Sequence, residues 1–452
     1  MGIVNSTENL KYVGTEVKPE RRIFTILSKI TFTLYIVAIF FGTSPPFRER
    51  VKDVEDIATS NIMNQLVFTT LFILSVITII PRFKSFFEII YKEKMLVIFF
   101  LWALLSIAWS DYSFTSFKRW FQVITSITVA ISILMYTDDH KDLLKYFKVI
   151  LFFYLIISIA SVFVIPNARG EGGAWRGLAP SKNHLGQAAL LNIIIWSLIF
   201  YYDNLKWKVI DIIMIIIAVL LLVGASSSTS MTAFMFIIFL AAMSYVDKLL
   251  KPIKVGRLFS ILGLFTAAAI VLSVVFLARD ILVQILASFG EDLTFTGRTD
   301  LWADILREAN KHLWIGCGFQ GFWIVENNDL LALYDRYIWF PNQAHNGYID
   351  ILNEVGIIGL ALFVGVIANY FLNIRKLKNP TIFKWFVIVA IIVNFQESTF
   401  IRPQVLTGVF FIFSYLALFV QLHKEKKEEY EELLLEENTE EVKEEKIIEI
   451  IN

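Results

Sequence analysis

The stretch KVIDIIMIIIAVLLLVG, residues 208–224, decides the class of fold. After Lys208 its apolar residues run on without the alternation of a half-buried strand, and Asp211 is the only charged residue among them. Because a helix rises about 1.5 Å per residue, about 20 apolar residues cross the roughly 30 Å hydrocarbon core of a bilayer. This stretch therefore predicts a membrane-spanning α-helix.

The composition of the whole chain indicates the same environment. Of its 452 residues, 56% are hydrophobic and only 18% are charged, which is more apolar surface than a soluble domain can bury. Phe occurs 41 times and Trp 11 times, and aromatic rings anchor helices at both bilayer interfaces. The formal net charge of +0 indicates no class of partner, and the single Cys317 excludes an internal disulfide and a cysteine-based metal cluster. We expect an integral membrane protein.

Similar apolar runs recur along the chain, and about twelve are long enough to span a bilayer. They are continuously apolar, which excludes the alternating strands of a transmembrane barrel. The sequence therefore predicts an all-α polytopic membrane protein. The predicted spans are residues 24–42, 62–80, 94–109, 118–136, 147–165, 185–202, 208–224, 229–246, 257–277, 346–371, 380–397 and 403–422.

Lysine and arginine orient these spans, because cytoplasmic connections carry an excess of positive charge. The positively charged connections are those around residues 82–94, 141–148, 206–208, 248–257 and 375–378. Both termini are therefore expected in the cytoplasm, as an N-terminal segment 1–23 and a charged tail 423–452, with a transmembrane domain 24–422 between them. The first residues are polar and the first apolar run is long enough to span, so no cleavable signal peptide is expected.

One connection on the outer face, residues 279–345, is far longer than the usual loop. Within it Leu301, Ile305 and Ala309 recur at helical spacing, while charged residues take the opposite face. We therefore expect one long, partly helical extracytoplasmic loop that covers a site at the membrane surface. The alternative is a helix that rests on the lipid interface.

Two arginines on the outer face are flanked by glycines. Arg176 stands in ARGEGGAWRGLAPSKNH, residues 168–184, and Arg298 stands in TGRT, residues 296–299. A guanidinium binds phosphate oxygens through a planar fork of donors, and glycine lets the backbone approach a ligand closely. Two such arginines on one face favour a diphosphate site; the alternative is contact with lipid head groups.

His345 lies in QAHNGY, residues 343–348, where the long loop meets the tenth span. Imidazole titrates near neutral pH, so a histidine here can accept a proton from an attacking hydroxyl. The alternative is a hydrogen-bonded interface residue.

Polar residues in spans ten and eleven, Glu397 among them, indicate that water reaches the outer half of the bundle. No spacing of Asp or His on this face predicts a metal site.

Taken in order, these motifs resemble the O-antigen ligase and O-antigen polymerase superfamily. The motifs that carry the resemblance are RG at 176–177, KNHLG at 182–186, the turn 226–232, TGRTDLW at 296–302, GCG at 316–318, AHNGY at 344–348 and EVGIIG at 354–359. The resemblance covers roughly residues 165–365 in detail and the rest only through topology. One departure is Leu313, where the family often has proline, and it bears on the shape of the loop rather than on its chemistry.

The resemblance implies a GT-C-like transferase that moves a glycan from undecaprenyl diphosphate to an acceptor hydroxyl, with inversion and without a metal or other cofactor. By motif position, His345 would be the general base, while Arg176 and Arg298 would hold the diphosphate. The secondary candidates are Lys182, Asn183, His184, Asn346, Arg169, Glu397 and Arg402. The implied partners are the lipid-linked donor, a glycan or lipid acceptor and the bilayer, with a chain-length regulator as a further candidate and no nucleic acid. The implied location is the outer face of a bacterial cytoplasmic membrane.

Within the superfamily the sequence leaves two reactions open. A polymerase passes the glycan to another carrier-linked repeat unit, whereas a ligase passes it to lipopolysaccharide core or another terminal acceptor. The abundance of Ile, Lys, Asn and Phe indicates an AT-rich genome, common among Gram-positive bacteria without lipopolysaccharide, and so favours a polymerase. The alternatives from other classes are a transporter or flippase, in which repeated halves and charges near the midplane are expected, and a non-catalytic scaffold.

Overall fold

The fold comes from a computed structural model of the chain. It describes residues 19–42, 62–137, 141–202, 208–250, 298–334, 336–337, 341–378 and 384–451. The predicted ninth span, 257–277, lies outside the described residues. So do the first part of the long loop, 279–297, and most of the N-terminal segment 1–23.

Most of the described residues lie in α-helices. The helices are α1 Pro19–Phe41, α2 Ile62–Ile79, α3 Phe83–Lys92, α4 Lys94–Ser106, α5 Ser113–Tyr136, α6 Lys141–Val164, α7 Lys182–Tyr202, α8 Val209–Gly224, α9 Ser228–Leu250, α10 Arg298–Lys311, α11 Asn328–Tyr334, α12 Gly347–Asn373, α13 Lys384–Val393 and α14 Leu406–Ile451. No β-sheet forms among the described residues, where an isolated bridge joins Arg169 and Trp175.

Seven helices of the described chain are long and apolar enough to cross a membrane, namely α1, α2, α5, α6, α7, α12 and α14. The shorter apolar helices α4, α8, α9 and α13 coincide with further predicted spans. The predicted class, an all-α polytopic membrane protein, is confirmed. The stretch 208–224 that decided this class forms α8.

The eleventh predicted span, 380–397, extends too far at its C-terminal end, because α13 stops short of it. Asn394 explains the stop. Its Oδ1 accepts the backbone N–H groups of Thr399 at 2.8 Å and Phe400 at 2.9 Å. A side chain that bonds to backbone groups beyond it offers the chain an alternative to the helix. Glu397 consequently lies in a buried turn between α13 and α14 rather than in a span.

The connection after the second span holds a helix that was not foreseen. α3 is amphipathic: Ile89 is buried, whereas Phe83 is 56% exposed and Phe87 is 50% exposed. Lys84 and Lys92 lie on the same short helix. A helix of this kind is typical of a membrane interface.

α5 and α14 form the centre of the bundle, with 78% and 83% of their spanning residues buried. Rings from α1 and α6 pack on α14, with Phe32 and Phe413 at 5.5 Å and Phe147 and Phe410 at 5.3 Å between centroids. Such pairs contribute about 1 kcal/mol each beyond the area that they bury. The turn that carries Glu397 leads directly into α14, so this packing holds it at the centre of one end of the bundle. We call this end, which carries α10 and α11, the loop face.

α12 is broken at Gly356, where φ is 70° and ψ is −176°. The break frees backbone groups that then pair with the segment after α10: Gly318 N–H donates to the Glu354 carbonyl at 2.9 Å, and Ile357 N–H donates to the Leu313 carbonyl at 2.8 Å. A Cβ at Gly356 would lie 2.3 Å from a carbonyl oxygen of that segment, so glycine is required. The GCG motif and the EVGIIG motif are therefore joined by backbone hydrogen bonds.

The long loop has a small core of its own. Leu301 and Ile305 of α10 are fully buried and pack with Phe322, Leu330 and Leu333 from the segment that follows. The helix predicted in this loop is present as α10, and it buries its apolar face within the loop rather than on lipid. The described part of the loop is thus a packed cover over one end of the bundle.

Candidate functional site

Four side chains from three separate parts of the chain meet on the carboxylate of Glu397, which is only 3% exposed. Its Oε2 lies 3.0 Å from His345 Nδ1 and accepts Gln343 Nε2 at 2.6 Å. Its Oε1 accepts Asn183 Nδ2 at 2.7 Å and lies 3.5 Å from Arg298 Nη2. The turn after α13, the end of the long loop, the start of α7 and the start of α10 are thereby joined at one point.

The backbone around His345 is unusual. His345 has a φ of 51°, in the left-handed region that few residues other than glycine adopt. Directly after it, Asn346 caps α12 by accepting Tyr348 N–H at 3.1 Å, and Gly347 N–H donates to the Asn394 carbonyl at 2.8 Å. Backbone strain of this kind is often found at functional sites. The secondary candidate Asn346 therefore shapes the backbone that presents His345.

Arg298 is the first residue of α10. Its Nη1 donates to the Gln396 carbonyl at 2.6 Å, next to the longer contact with Glu397. One turn further along the helix, Trp302 Nε1 donates to the Ala344 carbonyl at 2.8 Å. α10 is thus tied to both chain segments that meet at the site. Because a guanidinium carries five N–H donors, Arg298 can keep these contacts and still bind phosphate oxygens.

The charge state of Glu397 follows from its surroundings. Burial by itself raises the pKa of Glu397, but the charges of His345, Arg298 and His184 and the hydrogen bond from His345 outweigh burial, and the pKa falls below its ordinary value. The carboxylate is therefore ionised at neutral pH. An ionised carboxylate accepts a proton donor, so it selects the His345 tautomer with the proton on Nδ1 and makes Nε2 the basic nitrogen.

The KNHLG motif supplies a second side of the site at the start of α7. Asn183 reaches Glu397, as described above. His184 lies beside it, with Nδ1 2.9 Å from Ser181 Oγ. Lys182 is exposed at the first residue of the helix. Of these three secondary candidates, Asn183 contacts the carboxylate directly and His184 contributes to its electrostatic field.

Arg176 and Arg169 lie in the loop between α6 and α7. Arg176 is buried and its Nε donates to the Asn167 carbonyl, while Arg169 Nε donates to the Val162 carbonyl at 2.9 Å. These contacts fold the loop onto the end of α6 and do not reach Glu397. A role for Arg176 in binding diphosphate stays a prediction.

Arg402 belongs to a second cluster on the loop face. Its Nη2 lies 3.0 Å from Asp350 Oδ2 and 3.2 Å from Glu354 Oε1, both on α12. Two buried acidic side chains already bind its guanidinium, which makes it a poorer ligand for a substrate phosphate than Arg298. Arg119 of α5 lies nearby, half-buried, with Nη2 donating to the Trp323 carbonyl at 3.1 Å. Sequence reasoning missed Arg119, because one arginine at the end of a span resembles an interface anchor.

Gln343 was also missed. Besides its bond to Glu397, its Oε1 accepts Ser398 N–H at 3.2 Å, so it clamps the turn after α13 to the segment before α12. The signal was its place two residues before His345. In an extended segment such residues point to the same side.

The site can accept a proton and hold an anion at adjacent points. It combines an imidazole, a guanidinium, amides and a carboxylate, and among the described residues no group of three His, Cys, Asp or Glu side chains could hold a metal ion. An imidazole aligned by a buried carboxylate is an arrangement suited to general-base chemistry. The neighbouring Arg298 is suited to a phosphate group.

Comparison with known proteins shows similarity to one family. The sequence profile described as O-antigen ligase matches residues 213–364, a range that includes Arg298 and His345 but not Arg176 or Glu397. The exopolysaccharide production protein ExoQ of Rhizobium meliloti (strain 1021) is 25% identical over 228 residues, which is 50% of this chain and 44% of that protein. The chain thus matches less than half the length of this relative. Both matches support the resemblance of the chain to the O-antigen ligase and O-antigen polymerase superfamily.

Proposed function

We propose that this protein polymerises glycan repeat units carried on undecaprenyl diphosphate, at the outer face of a bacterial cytoplasmic membrane. The observation that carries the proposal is the meeting of His345 and Arg298 on the Glu397 carboxylate. A basic nitrogen and an anion-binding group then lie side by side beneath a packed loop. Similarity to the superfamily supports a reaction of the polysaccharide ligase or polymerase type.

In the proposed reaction, the acceptor hydroxyl gives its proton to Nε2 of His345 as its oxygen attacks the anomeric carbon of the donor. The bond between that carbon and the diphosphate oxygen breaks, and its electron pair leaves with undecaprenyl diphosphate. Attack from the side opposite the leaving group inverts the anomeric configuration. The Glu397 carboxylate stabilises the imidazolium that forms, as a carboxylate does in other histidine-based sites.

Arginine is proposed to hold the departing diphosphate. Negative charge builds up on its oxygens as the glycosidic bond breaks, and Arg298 and Arg176 would bind that charge more tightly in the transition state than in the ground state. The 3.5 Å separation between Arg298 and Glu397 is long for an ion pair, so Nη2 can bind a phosphate while Nη1 keeps its bond to the Gln396 carbonyl. A diphosphate is a good leaving group, and we propose that two guanidinium forks replace a metal ion.

The proposed orientation places the loop face outside. Basic residues of the described connections lie at the opposite end, where Lys92 contacts His423 and the Lys378 backbone N–H donates to Glu425 of α14. Their charge favours the cytoplasm for that end and for both termini. The polyprenyl chain of the donor would then lie in the bilayer beside the bundle, with its diphosphate at the level of Arg298. A chain-length regulator is proposed as a further partner.

Ligation is the second candidate reaction, because the matching family profile is described as O-antigen ligase. The acceptor would then be lipopolysaccharide core or another terminal acceptor rather than a growing carrier-linked chain. The relative named for exopolysaccharide production favours a polymer product. The proposed proton transfer and leaving group are the same in both reactions.

The test is glycan transfer by the purified protein in proteoliposomes that contain an undecaprenyl diphosphate-linked repeat unit. We expect carrier-linked products of two or more repeat units, joined by linkages of inverted anomeric configuration, and the same yield in EDTA. Transfer only to an added terminal acceptor would establish the ligase instead. No transfer to either acceptor would contradict the proposal, and activity that EDTA abolishes and Mg²⁺ restores would contradict its metal-free chemistry.

A further inference from the structure

The peptide groups beside His345 are held on both sides by other parts of the chain. The Ala344 N–H lies 3.3 Å from each of the two carboxylate oxygens of Asp350. The Ala344 carbonyl accepts Trp302 Nε1 at 2.8 Å. Ala344 itself is fully buried, so neither group can turn to water instead. These contacts fix the residue next to the proposed base.

Asp350 is itself held in place. It lies in the first turn of α12 and is 2% exposed. Its Oδ2 lies 3.0 Å from Arg402 Nη2, and its Oδ1 accepts Trp323 Nε1 at 2.8 Å. Arg402 is in turn shared with Glu354, one helical turn further along α12. The carboxylate is therefore a fixed point to which the segment before α12 is attached.

We propose that Asp350 is a positioning residue for His345: anchored by Arg402 and Trp323, it accepts the Ala344 N–H and so maintains the left-handed backbone that presents the imidazole. The inference rests on the proposed function, because it assigns His345 as the base. Asp350 does not contact the imidazole in this arrangement and acts through the peptide group between them.

Loss of the acceptor has a predictable consequence. A buried N–H without a partner is unfavourable, because it loses its bond to water on burial. A left-handed conformation is strained for a non-glycine residue. Both penalties are relieved if the backbone of His345 relaxes to a negative φ, which moves the imidazole away from its aligned position. A displacement of about 1 Å in a reacting group can lower a rate by about 100-fold.

The experiment compares kcat and the KM for the lipid-linked donor in proteoliposomes of the wild type, Asp350→Ala and Asp350→Asn. We expect Asp350→Ala to lower kcat by about 100-fold and to leave KM within about threefold, because donor binding depends on Arg298. Asp350→Asn keeps an oxygen for the Ala344 N–H, so its kcat should stay within about tenfold of the wild type. This rescue separates a hydrogen-bond role from a role of the negative charge.

The matched control is Asp304→Asn in the core of the same loop. Asp304 is a poorly exposed carboxylate that binds Arg336 at 3.0 Å and the Tyr337 hydroxyl at 2.9 Å, and it makes no hydrogen bond to the described residues 341–346. We expect this variant to lower the thermal unfolding temperature while kcat stays close to that of the wild type.

Several results would overturn the inference. One is a normal kcat in folded Asp350→Ala; another is an equal loss in the Ala and Asn variants. If Asp350→Ala does not fold, Trp302→Phe provides the test, because it removes the hydrogen bond to the Ala344 carbonyl. We expect a tenfold lower kcat with an unchanged KM. A normal kcat would reject the inference. A wild type without transfer activity would instead contradict the proposed function on which the inference rests.

Discussion

At the level of single residues, the candidate site is organised around one ionised carboxylate rather than around its arginines. Glu397 is buried, yet its pKa is lowered because His345 and Arg298 surround it with positive charge. A buried charge is stable only with such partners, and removing one member of a buried pair is costly. The same residue therefore supports the fold of the loop face and the alignment of the proposed base.

A first prediction concerns stability and pH in Glu397→Gln. Since the folded-state pKa of Glu397 is lowered, its stabilisation is complete above the ordinary carboxyl pKa and is lost as pH falls through the lowered value. The variant should therefore unfold at a lower temperature at pH 7, by the equivalent of about 3 kcal/mol, and the difference should shrink below about pH 4. Thermal unfolding against pH measures this.

The control for that series is Asp329→Asn, which removes an exposed carboxylate paired with Lys311 at 3.1 Å. Exposed pairs contribute about 0–1 kcal/mol, so this variant should follow the wild type at every pH. A Glu397→Gln curve that lies on the wild-type curve at pH 7 would show that Glu397 has no such role.

A second prediction concerns Arg298 and compares a guanidinium with an ammonium group at this position. Arg298→Ala should raise the KM for the lipid-linked donor by about 10–100-fold, because hydrogen bonds to a charged group contribute about 1.5–3 kcal/mol. Arg298→Lys should recover little of this, since an ammonium lacks the planar fork. Donor-concentration series in proteoliposomes test both variants. Unchanged KM in Arg298→Ala would indicate that Arg298 is only a structural link between α10 and Gln396.

The sequence predicted the chemistry of the site better than its arrangement. His345 and Arg298 were candidates because their residue types and neighbours fit the chemistry. Glu397 was only a secondary candidate, since it stood at the end of an apolar run, and the turn that exposes its role depends on Asn394 bonding to residues beyond it. Gln343 and Arg119 were missed because their partners are backbone or side-chain groups distant in sequence.

At the level of elements, the break in α12 joins the spanning bundle to the loop. Residues 313–318 supply partners for the backbone groups that the break frees. Without those partners the groups would lie unpaired in a largely apolar environment, at a cost of several kcal/mol each. The shape of the loop near Leu313, which departs from the family pattern, is therefore set by a backbone contact that leucine can make.

A third prediction follows for Gly356→Ala. Alanine at a φ of 70° is strained, and its Cβ would lie 2.3 Å from the Trp314 carbonyl oxygen. We expect a loss of about 2–3 kcal/mol in the free energy of unfolding and lower transfer activity, because α10 and the loop would shift. Gly365→Ala on the same helix is the control: its Cβ would meet only Met95 Sδ at 3.6 Å, so its stability should be unchanged or higher. Equal stability of the two variants would refute this account of the break.

Helix positions were predicted most reliably where the chain is uniformly apolar, as in α8, or clearly amphipathic, as in α10. Helix ends that depend on tertiary contacts were not predicted reliably. α13 ends early because of one asparagine, and α3 occupies a connection whose basic residues had been read only as an orientation signal.

At the level of the whole molecule, the account requires the loop face to lie outside and the C-terminal end of α14 inside. Trp314 and Tyr430, which are 67% and 61% exposed, lie toward opposite ends of the bundle. In intact spheroplasts, Trp314→Cys should react with an impermeant thiol reagent, and Tyr430→Cys should react only after permeabilisation. The wild type, with Cys317 as its only cysteine, gives the background. Labelling of Tyr430→Cys in intact spheroplasts would reverse the proposed orientation.

The bundle has one functional consequence in this account, which is to hold a proton acceptor beside an anion-binding group at one end of the buried helix α14. The most direct test is the turnover number of His345→Ala with the undecaprenyl diphosphate-linked donor, in protein whose thermal unfolding matches the wild type. General-base catalysis by histidine contributes about 100- to 10,000-fold, so we predict a loss of at least about 100-fold with donor binding retained. Turnover within a few fold of the wild type would contradict the account.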